Sequence, residues 1–175
     1  MINKLLKNAL NRKIAPVVAV EPGEFERLGA QLKSHVDAVF GRSLAIRELD
    51  SGSDNAAEIE LNNLSTPYYD IERFGVTFVA SPRHADAIII TGAVTLAMVA
   101  AVKKTFEAMP QPAMVIAVGD DACDGGILAG SYAVLGGADK VLPVDIKVPG
   151  NPPAPIDIMR GLLELMQSLR CKSSR

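Results

Sequence analysis

The chain has 175 residues, a net charge of −2, 49% hydrophobic and 22% charged residues, and two cysteines. This composition excludes a disordered chain and a disulfide-rich scaffold, and the lack of a basic bias argues against nucleic-acid binding. We therefore expect a folded domain with a sizeable core in a reducing compartment, and no apolar run approaches the roughly 20 residues of a transmembrane helix.

The first predicted element is a short amphipathic helix over residues 2–13. Basic residues fill the positions between apolar residues that recur at helical spacing. The apolar positions are Ile2, Leu5, Leu6, Ala9 and Leu10. A helix this short is marginal alone, so we expect it to dock on a partner subunit or to make peripheral contact with a membrane. The alternative is a surface helix packed on its own domain. Residues 1–43 are the predicted N-terminal docking segment.

Downstream of this segment, helical patterns alternate with short apolar runs. Helices are predicted over 25–40, 56–64, 95–108, 127–135 and 156–169. Strands are predicted over 44–49, 76–80, 87–91, 113–118 and 140–142. We expect Gly41 to end the first of these helices and Thr95 to cap the third. The alternation predicts an α/β domain over residues 44–169, with a parallel sheet between two layers of helices and a tail at 170–175.

Three loops follow predicted strands and should meet at one edge of the sheet. They comprise residues 50–54, 118–126 and 148–155. Ligands of open α/β folds bind at the carboxyl ends of the strands. We therefore expect the three loops to line a common pocket.

Four motifs in and near these loops resemble one family, in the same order along the chain. They are Ser-Gly-Ser-Asp-Asn-Ala-Ala-Glu-Ile-Glu at 51–60, Ser-Pro-Arg-His-Ala-Asp at 81–86, and the segments 119–126 and 144–153. The chain resembles the 20-kilodalton, B-type subunit of NADH:quinone oxidoreductase and the small subunits of membrane-bound energy-converting NiFe hydrogenases. The resemblance implies a flavodoxin-like fold. It also implies a large subunit, membrane-arm subunits and a ferredoxin-like subunit as partners, at the cytoplasmic face of a membrane.

The same resemblance implies a site for one [4Fe–4S] cluster, which four cysteines hold in the family. The matching positions here are Asp54, Ala57, Asp121 and Asn151. Alanine has no donor atom, and carboxylate and amide oxygens suit hard cations better than iron in a cluster. Cys123 falls two residues after a ligand position, and we expect it to be structural. The resemblance therefore implies the fold and the assembly, while the residues predict that no cofactor is bound.

Six acidic residues are predicted near this edge of the sheet. They are Asp50, Asp54, Glu58, Asp120, Asp121 and Asp124. In one interpretation they are solvated or paired with basic groups, either of a partner or of Arg83 in this chain. In the second they bind a hard divalent cation. In the third, burial and crowding raise the pKa of one or more of them, and Glu58 and Asp121 relay protons.

The sequence thus predicts a small peripheral subunit of a complex I-like or hydrogenase-like membrane complex. We expect it to be redox-inert and to serve as a structural or proton- or ion-coupling element. One alternative is an electron-transfer subunit whose cluster is held by donors from another chain. Another is a flavin- or nucleotide-binding module in which Ser51-Gly52-Ser53 cradles a phosphate at a helix N-terminus. Asp54 at that terminus and an aromatic content of 5% weigh against the flavin.

Overall fold

The computed structural model describes the backbone of residues 23–173 and the side chains of residues 23–169. The helix predicted over residues 2–13 lies outside these described residues. The boundary predicted between residues 43 and 44 stays a prediction.

Five parallel strands form the central sheet in the order β2-β1-β3-β5-β7. They are β1 (Leu44–Asp50), β2 (Val76–Phe78), β3 (Ala87–Thr91), β5 (Met114–Val118) and β7 (Ile146–Val148). The chain reverses its direction across the sheet between β1 and β3, which is the flavodoxin-like arrangement and confirms the predicted fold class. Two further strands, β4 (Val94–Thr95) and β6 (Val134–Gly136), form a separate antiparallel pair.

Helices cover both faces of the sheet. They are α1 (Glu24–Phe40), α2 (Ala56–Leu64), α3 (Val99–Glu107), α4 (Asp120–Asp124) and α5 (Pro155–Ser173). The pleat of β3 sends Ala87 and Ile89 into the core beneath α1, α2 and α5, and Ile88 and Ile90 into the core beneath α3 and α4. All five residues of β3 are buried, as a continuous apolar run in a parallel sheet predicts. None of the helices in the described part of the chain has the length and apolar character of a membrane span.

The structure confirms the predicted end of the first helix and the predicted bounds of the second. Gly41 ends α1 in the left-handed conformation, and its N–H donates to the carbonyl oxygen of Asp37 at 3.0 Å. The α2 bounds agree with the prediction, and α5 extends to Ser173, four residues beyond the predicted end.

Three predicted elements were wrong. Thr95 does not cap a helix: its N–H donates to Ser51 O at 3.0 Å, and α3 begins only at Val99. Residues 127–135 form a 3₁₀ turn and strand β6 in place of a helix, and the helix of this region is α4, which lies within a predicted loop. Residues 140–142 form no strand, because β5 pairs with Ile146–Val148.

Candidate functional site

The three loops converge on one cleft at the carboxyl edge of the sheet. Its cavity has a volume of about 10 Å³, which is room for about one water molecule. Asp54 and Ala57 line it from the first loop and α2, Asp121 from α4, and Asn151 from the loop after β7. The structure thus brings together the four positions that the resemblance relates to cluster ligands.

The first loop is held by its own side chains. Asp50 Oδ1 accepts the N–H groups of Gly52 at 2.7 Å and Ser53 at 2.8 Å. Asp54 Oδ1 accepts the N–H of Ala56 at 2.9 Å, and Ser53 Oγ accepts the N–H of Asn55 at 2.9 Å. A phosphate cradle needs free N–H donors at this position. Because four of the five N–H groups from residues 52–56 already donate to side chains, the loop is poorly suited to a flavin or nucleotide phosphate.

Asp120 joins the second and third loops. Its Oδ1 accepts the N–H of Gly150 at 2.7 Å, and its own N–H donates to Gly150 O at 2.8 Å. Asp124 Oδ1 likewise accepts the N–H of Gly126 at 2.8 Å. Together with Asp50 and Asp54, these acids therefore satisfy loop backbone groups. This role was not predicted from the sequence, although an Asp followed two residues later by Gly is a signal for it.

Glu58 differs from these acids because its side chain is buried. It is 7% exposed, and its Oε2 accepts a 2.6 Å hydrogen bond from Ser53 Oγ. Its Oε1 is buried and has no hydrogen-bond partner within the described residues. Ser53 also lines the cavity, so one hydroxyl group connects the buried carboxylate to the cleft.

Asp121 is the second acid with an unpartnered oxygen. Its Oδ1 is buried without a hydrogen-bond partner among the residues described. Burial, and then the negative charges of Asp54, Asp120 and Asp124, raise the pKa of Asp121, while the N–H of Ile127 lowers it. Glu58 and Asp121, the two candidates for proton relay, are therefore the acids of this cleft that carry a buried, unpartnered oxygen in the described structure.

Glu48 is a third acid of interest, and it was not predicted from the sequence. It is half-buried on β1, and burial, followed by the charge of Glu58, raises its pKa. Leu44 and Ile46 share its face of the strand and belong to the core beneath α2. An acid that continues an alternating apolar face is the signal that could have identified it.

Cys123 has the structural role that we expected. It is 7% exposed, and its Sγ donates to the carbonyl oxygen of Ala117 at 3.8 Å. Burial raises the pKa of the thiol to about 11, although the charge of Lys147 opposes this. The thiol is therefore protonated at neutral pH, and Cys123 is not among the residues that line the cleft.

Arg83 does not neutralise the acidic loops. It is exposed and forms no ion pair with another described residue. Asp86 from the same motif instead pairs with Arg42, with N–O distances of 2.7 and 2.6 Å, near the amino end of β1. Within the residues that the structure describes, no group of three or more acidic, histidine or cysteine side chains is placed to hold a metal ion. The cation interpretation stays a hypothesis.

Comparison with known proteins relates this cleft to one family. The family model described as NADH ubiquinone oxidoreductase, 20 Kd subunit, matches residues 55–165. Formate hydrogenlyase subunit 7 of Escherichia coli (strain K12) is 39% identical over 75% of this chain, and the chain covers 52% of that protein. The B-type subunit of the NADH-quinone oxidoreductase of Heliobacterium modesticaldum is 42% identical over 79% of this chain and 81% of its own length. The chain therefore spans about half of the first relative and about four fifths of the second.

Solved structures agree with this relationship. A chain of the membrane-bound sulfane sulfur reductase, an archaeal respiratory membrane complex, superposes with a TM-score of 0.65 and 33% identity, covering 84% of this chain and 76% of that one. The [NiFeSe] hydrogenase from Desulfovibrio vulgaris Hildenborough superposes with a TM-score of 0.51 and 20% identity, covering 74% of this chain and 65% of that one. The second similarity shows a common fold.

Proposed function

Because this chain belongs to the family of the NADH ubiquinone oxidoreductase 20-kDa subunit, we propose that it is a small peripheral subunit of a membrane complex. The complex would resemble complex I or an energy-converting hydrogenase, since relatives are named as subunits of formate hydrogenlyase, NADH-quinone oxidoreductase and a membrane-bound hydrogenase. The chain would contact a large subunit and the membrane arm at the cytoplasmic face, with a ferredoxin-like subunit as a further partner. In that complex this copy would be redox-inert.

The donor set of the cleft carries the redox-inert part of the proposal. The four positions that the resemblance relates to cluster ligands offer two carboxylates, one amide and one methyl group, from Asp54, Asp121, Asn151 and Ala57. A [4Fe–4S] cluster requires thiolate ligands, usually four. Cys123, the thiol within residues 23–169, is buried, protonated and outside the cleft lining. The residues do not fit the cluster.

Proton coupling is the role that the remaining chemistry supports. Glu58 and Asp121 each have a buried, unpartnered oxygen atom within the described residues, and Ser53 connects Glu58 to the cavity by its 2.6 Å hydrogen bond. Burial and the negative charges of neighbouring acids raise the pKa of Asp121, which favours its protonated form. In the proposed role, Glu58 and Asp121 take up and release protons in the cleft as the complex changes conformation.

Reconstitution of the purified full-length chain with iron and sulfide under anaerobic conditions tests the loss of the cluster. The matched control carries Asp54→Cys, Ala57→Cys, Asp121→Cys and Asn151→Cys, which restores a thiol at each of the four positions. The control should gain broad visible absorption near ~400 nm and bound iron, because thiolates are the required ligands. The natural chain should gain neither. Cluster absorption with iron assignable to this subunit in the natural chain, or in the complex purified from membranes, would refute the redox-inert proposal.

Infrared difference spectroscopy of the complex tests proton coupling. A protonated carboxyl group gives a carbonyl band that shifts in deuterium oxide, and Glu58→Gln or Asp121→Asn should each remove one such band. Each variant should also slow proton or ion translocation by about 10²-fold or more, the range of a lost proton-transfer group. Both variants translocating at the natural rate would contradict the coupling role, whatever the iron analysis gives.

A further inference from the structure

Large apolar side chains protrude from one end of the molecule, beside the cleft. We call this set the apolar turn surface, and it is formed by β4, β6 and the turn that precedes β6. Its members and their exposed fractions are Leu96 (56%), Ile127 (88%), Leu128 (40%), Tyr132 (96%) and Leu135 (42%). Exposed apolar side chains grouped in this way mark a binding surface in a folded protein, whereas isolated ones need no explanation.

Hydrogen bonds hold the apolar turn surface in a defined shape. Strands β4 and β6 pair in antiparallel register, and the N–H of Leu96 donates to Ala133 O at 2.9 Å. Within the turn, Leu128 N–H donates to Gly125 O and Ser131 N–H donates to Leu128 O, both at 3.1 Å. The protruding side chains therefore stand on an ordered backbone, so that little conformational entropy is lost when a partner binds.

The acidic cleft borders the apolar turn surface directly. Gly126, at the start of the turn, packs against the carboxyl group of Asp121 and donates its N–H to Asp124. On the other side, the N–H of Thr95 in β4 donates to Ser51 O, which fixes the pair to the first loop with its exposed Asp54. The surface thus has an apolar centre and an acidic margin on the side of the cleft. The basic side chain of Lys140 lies near Gly136 of β6.

We propose that the apolar turn surface is the docking site of another subunit, whose matching face has an apolar centre bordered by lysine or arginine side chains. This inference deepens the proposed function, since it assigns the contact through which a partner reaches the cleft. The acidic margin favours a protein partner with a basic rim over the two alternatives. A second copy docked face to face would present the same acidic margin and no basic rim to complement it, and an anionic lipid surface would repel the acids. A basic rim on a protein partner complements them.

The contact would also affect the acids of the cleft. Asp121 packs on Gly126 of the turn and faces the charges of Asp54, Asp120 and Asp124. A lysine or arginine side chain brought to this margin favours the charged carboxylate, whereas loss of the partner favours the proton. Docking and undocking at the apolar turn surface would therefore control proton binding in the cleft.

Photo-crosslinking in the complex purified from its own membranes tests the docking site. A photoreactive residue is placed at Ile127 or Tyr132, and, as the matched control, at Tyr68, which is 82% exposed on another part of the chain. The first two positions should crosslink to one segment of one other subunit, and a carbodiimide should link Asp124 to a lysine in the same subunit. Links mainly to a second copy of this chain or to lipid would overturn the proposal.

Substitution gives the second measurement. Tyr132→Ser and Ile127→Ser should each reduce the amount of this chain that remains in the complex after a salt wash by at least about tenfold, as for central apolar interface residues. Tyr68→Ser should have no effect. If the complex assembles normally with both surface variants, the docking site is wrong but subunit membership stands. If the natural chain purifies without any other subunit, membership and docking both fail.

Discussion

The close packing of Gly126 against Asp121 allows a quantitative test of the junction between the cleft and the apolar turn surface. Gly126 has a φ of +51°, and a Cβ built on it would overlap Asp121 Oδ1 and lie 2.9 Å from Asp121 Cγ. In Gly126→Ala, the left-handed conformation costs about 1–2 kcal/mol. Displacing the carboxyl group adds about 1–3 kcal/mol, as in an overpacked core. The substitution should therefore lower the free energy of unfolding by about 2–5 kcal/mol.

The cost of displacing the Asp121 carboxyl group should vanish when that group is removed. In Asp121→Ala the nearest remaining atom is the Cα of residue 121, at 3.2 Å from the new Cβ. Adding Gly126→Ala to this background should then cost only about 1–2 kcal/mol, which gives a coupling of about 1–3 kcal/mol between the two positions. Gly130→Ala is the matched control, since Gly130 also has a positive φ, of +83°, but no atom within 4 Å of the new Cβ. Its cost should be about 1–2 kcal/mol in both backgrounds.

Urea unfolding of the four combinations at one pH, followed by circular dichroism, measures this cycle. The slopes of the unfolding transitions should agree, so that differences in midpoint report stability. If Gly126→Ala costs the same with and without the Asp121 carboxyl group, to within about 0.5 kcal/mol, then Asp121 does not pack on the turn. The physical link between docking and the cleft would then be lost.

Three further predictions follow from individual side chains. Burial alone would raise the pKa of Asp86, but hydrogen bonds from Arg42 help to hold this pKa below its ordinary value. The stabilisation from this ion pair is therefore present above pH about 4 and is lost as the pH falls through the folded-state pKa. Asp86→Asn should cost about 1 kcal/mol at pH 7 in thermal unfolding and less at pH 3, and a difference that does not change with pH would contradict the ion pair. The pKa of the Cys123 thiol is raised to about 11, so its alkylation by iodoacetamide at pH 7.5 should be at least about tenfold slower in the folded chain than in urea. Peptide mass spectrometry measures the two rates, and equal rates would place the thiol at the surface. Ser53→Ala should cost about 1–3 kcal/mol, because it removes the donor to buried Glu58, and much less when Glu58 is already Met, which has no oxygen to accept the bond. An undiminished loss in that background would show that the bond to Glu58 is unimportant.

The fold could be predicted where a local pattern and a tertiary environment agree. The apolar run of β3 is buried on both faces, and Gly41 ends α1 in the conformation for which glycine is favoured. The prediction failed where the local sequence pattern and the tertiary environment disagree. The apolar residues between Ile127 and Leu135 resemble a buried helical face, but the structure leaves them exposed. Strand β7 has only three residues, and its pairing with β5 depends on contacts distant in sequence.

The position of the candidate site was predictable from the sequence, but its hydrogen bonds were not. Because loops after parallel strands share an edge, the order of the motifs was enough to place Asp54, Ala57, Asp121 and Asn151 around one cleft. Which acids would hold the backbone and which would be left with an unpartnered oxygen depends on hydrogen-bond geometry. Composition and spacing do not contain that information. The sequence named Glu58 and Asp121 as candidates for proton relay, and the structure adds that each has a buried oxygen without a hydrogen-bond partner among the described residues.

The carboxylates that fix the loops also determine how this subunit could be produced. Asp50, Asp54, Asp120 and Asp124 satisfy the backbone of the cleft with atoms of the chain itself. In the proposed redox-inert role, the loops would therefore reach their final shape during folding, without a metal-insertion step or the maturation proteins that such a step requires. If the redox-inert proposal holds, the supply of this subunit would not depend on iron, and the folded chain would be ready for assembly into a complex when iron is scarce or when oxygen destroys exposed clusters.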